Sequence, residues 1–278
     1  MPATPAEQVA AANAGDRTPV VFVHGLWLLR SSWDRWAALF EEAGFAPVTA
    51  DWPGDPDTVA AANANPQALA GKTVGQVADH VAGLIDRLER KPAVIGHSFG
   101  GLVAQILAGR GLAAVTVAID PAPFRGVLPV PVSTLRAASP VVRDPRNRAR
   151  AVALTFDQWR YAFANAVSEE EARRLYDEFA VPAPGAPLFQ GVLANLDPRS
   201  ELKVDTERPD RGPLLIVSGE KDHTIPWAVA HAAYGKQKRN PAVTEIVEIK
   251  DRGHALTIDD GWREVAETAL AFVERCTR

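Results

Sequence analysis

The chain has 278 residues, of which 47% are hydrophobic and 23% charged, with a formal net charge of −4. That balance describes a folded globular protein with a sizeable core, and it excludes the basic footprint of a nucleic-acid binder or of a protein held on an anionic membrane surface. The single cysteine, Cys276, excludes an intramolecular disulfide and a cysteine-based metal site.

Residues 1–18 are rich in Ala, Pro and Gly without periodicity, which predicts a loose leader. They carry no basic start followed by an apolar run, and no stretch of the chain is apolar for long enough to span a bilayer. A cytoplasmic protein without stable membrane insertion is therefore expected. Pro19 to Val23 is a continuous apolar run, the pattern of a strand buried on both faces, and it ends in His24-Gly25-Leu26-Trp27. A helix is predicted from about Ser31, as its cap, to Gly44. A second strand runs from Phe45 to Trp52, and Pro53 to Gly71 reads as polar loop. Thr73 with Gln76 forms a capping box for a helix carrying Val77, Val81, Leu84, Ile85 and Leu88.

Pro92 to Gly96 is the third predicted strand, and Ser98 to about Arg110 is the helix behind it. Leu112 to Ile119 is the fourth, ending at Asp120-Pro121. The alternation then stops. Residues 121–211 show proline-broken loops and helical patches near Phe156–Val167, after Ser168 (with Glu171 closing a capping box), and over Pro187–Leu196. Strands return at Pro213–Ser218 and Val243–Ile249. A helix starts near Pro226, and another closes the chain from about Gly261 to Arg275. Strands alternating with helices imply an α/β protein whose doubly wound, mostly parallel sheet of about six strands is covered on both faces. Ligand chemistry in such sheets gathers at the C-terminal strand ends. His24-Gly25, Ser98, Asp222 and His254 all fall there.

Gly96-His97-Ser98-Phe99-Gly100 spells G-x-S-x-G between a strand and a helix. The two glycines leave room for a sharp turn that presents the serine hydroxyl, and the Phe99 N–H lies at a helix start, where donors are unpaired. A serine hydroxyl needs a base, and the base needs an orienting acid. His254 follows the last strand in a Gly-flanked loop and is the best-placed base. His97 sits next to the serine but is turned elsewhere by the elbow. His80 and His231 fall within helices, and His223 adjoins the acid. Asp222 is the favoured acid, with Asp120 its competitor at the end of the fourth strand. Charge developing on a carbonyl oxygen would be held by the backbone N–H of Phe99 and by that of Leu26, with Trp27 next in line after Leu26. No His, Asp and Glu cluster has metal-ligand spacing, so neither a metal nor a cofactor is expected.

These four segments, His24 to Trp27, Gly96 to Gly101, Gly219 to Pro226 and Asp251 to His254, resemble the α/β-hydrolase superfamily in its serine-nucleophile branch with an inserted helical cap. They span Val20 to His254. The resemblance implies an esterase- or lipase-like core over residues 19–120 and 212–278, with a cap, or lid, over 121–211. Most members carry a β-hairpin before the His-Gly strand, whereas only the leader precedes it here, so about six parallel strands are expected. Ser98 stands where haloalkane dehalogenases and epoxide hydrolases carry an aspartate.

The expected reaction is cleavage of a small or medium-sized apolar carboxylic ester or lactone through an acyl-enzyme, by Ser98, His254 and Asp222. Trp27, Phe124, Phe156, Trp159, Phe163 and Trp227 are the candidate pocket walls. The same scaffold in other members supports carbon–carbon bond hydrolysis, hydroxynitrile cleavage, cofactor-free haloperoxidation or non-catalytic ligand reception. A carbon–carbon bond hydrolase would bring basic groups into the pocket, for which Arg125, Arg143 and Arg160 are the candidates. Substrate identity, oligomeric state and cap mobility are not readable from the residues.

Overall fold

A computed structural model of the chain describes residues 3–277. In chain order the elements are α1 (Pro5–Ala14), β1 (Pro19–Val23), α2 (Asp34–Glu42), β2 (Ala46–Ala50), α3 (Val59–Ala64), α4 (Val74–Ile85), β3 (Ala93–His97), α5 (Phe99–Gly109), β4 (Val115–Ile119), α6 (Val132–Val142), β5 (Ala151–Val152), α7 (Phe156–Ala162), α8 (Glu169–Phe179), β6 (Ala183–Pro184), α9 (Ala186–Leu193), β7 (Leu214–Gly219), α10 (Trp227–Gln237), β8 (Thr244–Ile249) and α11 (Trp262–Thr277).

Six strands form one parallel sheet in the order β2-β1-β3-β4-β7-β8, as the alternation required. Side chains alternate between faces along each strand, and both faces are apolar. Val20, Phe22, Ile95, Val117 and Val217 meet Trp33, Trp36 and Phe40 and the inner side of α11 on one face. Val21, Val23, Val94, Ala118 and Ile216 meet α4, α5 and α10 on the other. The strand order reverses between β1 and β3, and the crevice opened at such a reversal lies at the strands' C-terminal ends. His24-Gly25 follows β1 and Ser98 follows β3, so the two segments flank that crevice.

Several local readings change. Residues 4–14 are not loose: Thr4 and Glu7 make a capping box on α1, whose Val9 and Ala12 are buried. Gln8 Oε1 accepts from Thr49 N–H of β2 at 2.9 Å, which gives this sheet-edge strand a partner. The loop expected over Pro53–Gly71 contains α3, capped by Thr58. Ser31 caps nothing, because a short 3₁₀ turn over Arg30–Trp33 precedes α2. Ser168 does cap α8, but Glu171 Oε1 accepts from Asp260 N–H at 2.7 Å instead of completing a box.

In the insert between β4 and β7, α6 was not foreseen because Pro140 interrupts its pattern. Pro140 removes the donor for the Arg136 carbonyl, and Ser139 Oγ donates to that carbonyl at 2.8 Å in its place. The insert also holds a two-residue antiparallel ladder of β5 with β6. No helix among the described residues is long and apolar enough to cross a membrane.

Candidate active site

Ser98 sits at φ 56° and ψ −120°, a strained conformation for a residue with a side chain. Its surroundings compel it. Ser98 N–H donates to Ile119 O at 2.9 Å, and Ser98 O accepts from Leu102 at 3.1 Å and Ala122 at 3.0 Å. A Cβ on Gly96 would collide with the Gly100 carbonyl, and one on Gly100 with the Val23 carbonyl, so both positions admit only glycine at this approach.

Three strand ends then converge. His254 Nδ1 donates to Asp222 Oδ2 at 2.6 Å, and its Nε2 accepts from Ser98 Oγ at 2.9 Å, the tautomer being dictated by a carboxylate that can only accept. Asp222 Oδ1 accepts from the N–H groups of Thr224 (2.6 Å) and Ile225 (2.9 Å), which fixes the carboxylate plane. Ser98, Asp222 and His254 are all buried.

The loops that carry them are tied to the insert. Thr224 Oγ1 donates to Ala162 O at 2.6 Å, Asn165 Nδ2 to Lys221 O at 2.7 Å, and Ala255 N–H to Phe163 O at 2.9 Å. The C-terminal end of α7 and the residues just after it thereby brace both the Asp222 loop and the His254 loop.

Phe99 opens α5, where first-turn N–H groups have no intrahelical acceptor. Leu26 is buried in the turn after β1. Its neighbour Trp27 is held at φ 62° by two bonds to the insert: Val181 N–H donates to Trp27 O at 3.2 Å, and Trp27 Nε1 donates to Val152 O at 3.0 Å. His24 is an organiser of this loop. Its Nε2 meets Asp55 Oδ2 and its Nδ1 meets Gly25 O, each at 2.9 Å, with the ring stacked on Trp52.

Ser98 opens into an apolar cavity of about 180 Å³. Trp27, Phe99 and Phe124 line it as expected, together with Leu135 and Ala138 of α6, Leu188 and Val192 of α9, and Val229 of α10. The other expected walls lie elsewhere. Phe156 packs on Tyr176 under the Arg173 guanidinium, and Trp159 is wholly buried, stacked on Phe163 at 5.2 Å. Phe163 backs the His254 imidazole edge-on at 4.9 Å. Trp227 lies against His231.

The α6 and α9 walls carry a helical signal, at i, i+3 and i+4 for residues 135 and 138 and for 188, 191 and 192. Only tertiary packing shows which face of each helix meets the serine. The polar side chains along the wall are engaged with the protein itself: Thr134 donates to Thr224 O, Thr224 to Ala162 O, and Asn195 bridges Gly126 and Val127. Arg125, Arg143 and Arg160 do not line the cavity.

His97, Asp120 and His254 bring ligand-type atoms within 4.8 Å of one another, a cluster that sequence spacing did not reveal because its members come from three strand ends. Both ring nitrogens of His254 are already engaged by Ser98 and Asp222, so a metal ion here would have to dismantle that chain of hydrogen bonds. Burial first, and then the charge of His254, pushes the His97 imidazole well below its ordinary pKa, which keeps it neutral beside the His254 ring at 4.6 Å. His80 pairs with Asp51, and His223 packs on Tyr161.

The model of the alpha/beta hydrolase family matches residues 20–268. Among solved structures, the chain is similar to the monoacylglycerol lipase of Paleococcus ferrophilus, at 19% identity over 93% of this chain and 94% of that one, with a TM-score of 0.64. It is also similar to an extracellular alpha/beta-hydrolase from a Paenibacillus species (21%, 92% and 98%, TM-score 0.65) and to a thermophilic esterase from Thermogutta terrifontis (20%, 94% and 91%, TM-score 0.62). At such identities these likenesses carry the fold and not the substrate. No curated protein matches the sequence.

Proposed function

The chain belongs to the alpha/beta hydrolase family, and we propose that it is a serine hydrolase cleaving carboxylic esters whose acyl or alcohol part is apolar and compact. The observation that carries this reading is the Ser98–His254–Asp222 relay, at 2.9 and 2.6 Å, opening into a cavity without a free polar side chain.

In this mechanism Ser98 Oγ attacks the ester carbonyl while His254 Nε2 takes its proton. Asp222 holds the ring orientation and supports the imidazolium. The carbonyl oxygen becomes an oxyanion and is held by the backbone N–H groups of Phe99 and Leu26. His254 returns the proton to the leaving alcohol, which leaves an acyl-Ser98 ester. A water deprotonated by His254 then attacks that ester and releases the acid. Residues 121–211 act as the cap that shapes the cavity.

A cavity of about 180 Å³ is close to the ~150 Å³ that encloses a benzene ring. An aryl ring or a medium-length acyl chain fits, and a charged substituent would be stranded there without a partner. Among the described residues the lining is largely apolar and holds no arginine, which favours ester cleavage over carbon–carbon bond hydrolysis.

The test is hydrolysis of p-nitrophenyl esters of graded acyl length by the wild type and by Ser98→Ala, alongside labelling with an organophosphonate. The expected result is turnover and labelling in the wild type, with at least a ~10³-fold loss and no label in the variant. A Ser98→Ala protein as active as the wild type would end this reading.

A further inference from the structure

The ester mechanism leaves one buried acid at its centre without a task. Asp120 is fully inaccessible and sits at φ 38°, at the end of β4. Its Oδ1 accepts from Gly219 N–H at 2.8 Å. Its Oδ2 has no hydrogen-bond donor among the described residues, yet lies 3.9 Å from His254 Nδ1, the nitrogen that donates to Asp222. Asp222 Oδ2 lies 2.6 Å from that same nitrogen, so one oxygen of each carboxylate is gathered around His254 Nδ1.

Two adjacent carboxylates, both ionised and both out of water, repel strongly, and a buried anionic oxygen without a donor adds a further cost. One proton on Asp120 Oδ2 removes both penalties. It cancels the like charge, and it supplies an O–H donor to an Asp222 that has lone pairs to spare after three accepted bonds. Burial first, and the Asp222 charge second, push the Asp120 carboxyl well above the ordinary aspartate range. The other titratable group facing it is His97, which is held neutral.

We propose that Asp120 stands beside the triad as a neutral carboxylic acid donating to Asp222, and that it ionises to become the acceptor for His254 Nδ1 when Asp222 is removed. Asp120 is then a positioning residue, acting on the imidazole through Asp222. This rests on the relay proposed above, but its physical core, the protonated acid, can be tested apart from turnover.

The experiment compares the wild type with Asp120→Asn, Asp222→Asn and the double variant. It takes the infrared C=O stretch of a neutral carboxylic acid at pH 7, p-nitrophenyl ester kcat from pH 5 to 9, and unfolding midpoints. The wild type is expected to show a neutral-carboxyl band that Asp120→Asn lacks. Asp222→Asn is expected to lose activity and to recover part of it as pH rises and Asp120 ionises. The double variant should stay flat with pH and at least about tenfold below Asp222→Asn at pH 9. Asp120→Asn alone, with an amide that still donates to Asp222, should lose less than Asp222→Asn. A wild type without the band overturns the proposal whatever the kinetics. So does an Asp222→Asn profile that coincides with the double variant at every pH, including the case in which Asp120→Asn lowers only the unfolding midpoint. Failure of the serine-hydrolase reading would appear separately, as an active, unlabelled Ser98→Ala protein.

Discussion

Gly25 lies against Ser98 so closely that a methyl group on its α-carbon would sit 2.8 Å from Ser98 Cβ and 3.0 Å from the His97 carbonyl. The turn bearing Leu26 is thereby packed onto the elbow. The Gly25→Ala variant must push the two apart. It is expected to lower kcat by about 10–100-fold, the scale of a displaced oxyanion donor, while KM changes far less. Steady-state kinetics on one p-nitrophenyl ester decide it. A fall confined to KM would mean that the turn contacts substrate and does not stabilise its transition state.

Ala138 of α6 faces the cavity. With the wild type, each added acyl methylene that finds apolar wall is expected to raise kcat/KM by up to about fourfold, the equivalent of ~0.8 kcal/mol, until the cavity is full. Ala138→Phe fills that volume. The optimum should move to shorter acyl chains, with acetate esters hydrolysed nearly as before. An unchanged chain-length profile would place the acyl chain elsewhere.

Asp259 provides a pH-dependent stability term. Burial, opposed by the Arg252 guanidinium, raises its carboxyl from 3.8 to about 6 in the folded protein. The folded state therefore holds this proton more tightly than the unfolded chain. The contribution is full below about pH 4 and is lost as pH rises through 6. Asp259→Asn removes that loss and keeps an acceptor for Gly261 N–H, now 2.9 Å from Asp259 Oδ1. Denaturant unfolding should show the variant gaining on the wild type between pH 4 and 7, by about 2–3 kcal/mol. A pH-independent difference would refute the assignment.

Arg211 is fully buried without a carboxylate partner among the described residues, and burial lowers its pKa to about 10. Its guanidinium is held by Gln237 O and Oε1 and by Thr244 Oγ1, at 3.2, 2.9 and 2.7 Å, with longer bonds to Ala242 and Val243 carbonyls. Arg211→Met leaves those acceptors unsatisfied, at a cost of about 3 kcal/mol or more. The melting temperature should fall while the rate per folded molecule at 25 °C holds. Equal stability would show that water or rearrangement satisfies the carbonyls.

Removing residues 1–14 deletes α1 and bares the β2 edge that Gln8 now satisfies. The truncated protein is expected to melt roughly 5–10 °C lower and to aggregate on heating. Gln8→Ala should show a smaller shift in the same direction. A truncation with an unchanged melting curve would make α1 dispensable.

The residues alone determined the sheet and its polarity. Five-residue apolar runs such as Pro19–Val23, separated by helical periodicity, leave little besides a parallel sheet covered on both faces. The elbow was legible too, because Gly96 and Gly100 are local steric requirements of one turn. The signal for α1 was equally present in the sequence, since Thr4-Pro5-Ala6-Glu7 is a capping box with a first-turn proline, but its short alanine-rich body hid it.

Tertiary structure decided what depends on distances between remote segments. Asp222 and Asp120 follow neighbouring strands; the sequence favoured Asp222 and kept Asp120 as its competitor, and only the packing sets them 2.6 Å and 3.9 Å from His254 Nδ1. Aromatic content did not say which rings would line the cavity. Trp159 and Phe163 stack on each other, and Phe163 also packs on His254, while smaller residues of α6 and α9 form the wall. Local spacing records which face of an element is apolar. What that face meets is set by how the elements pack, and that is where the pocket and the state of Asp120 are decided.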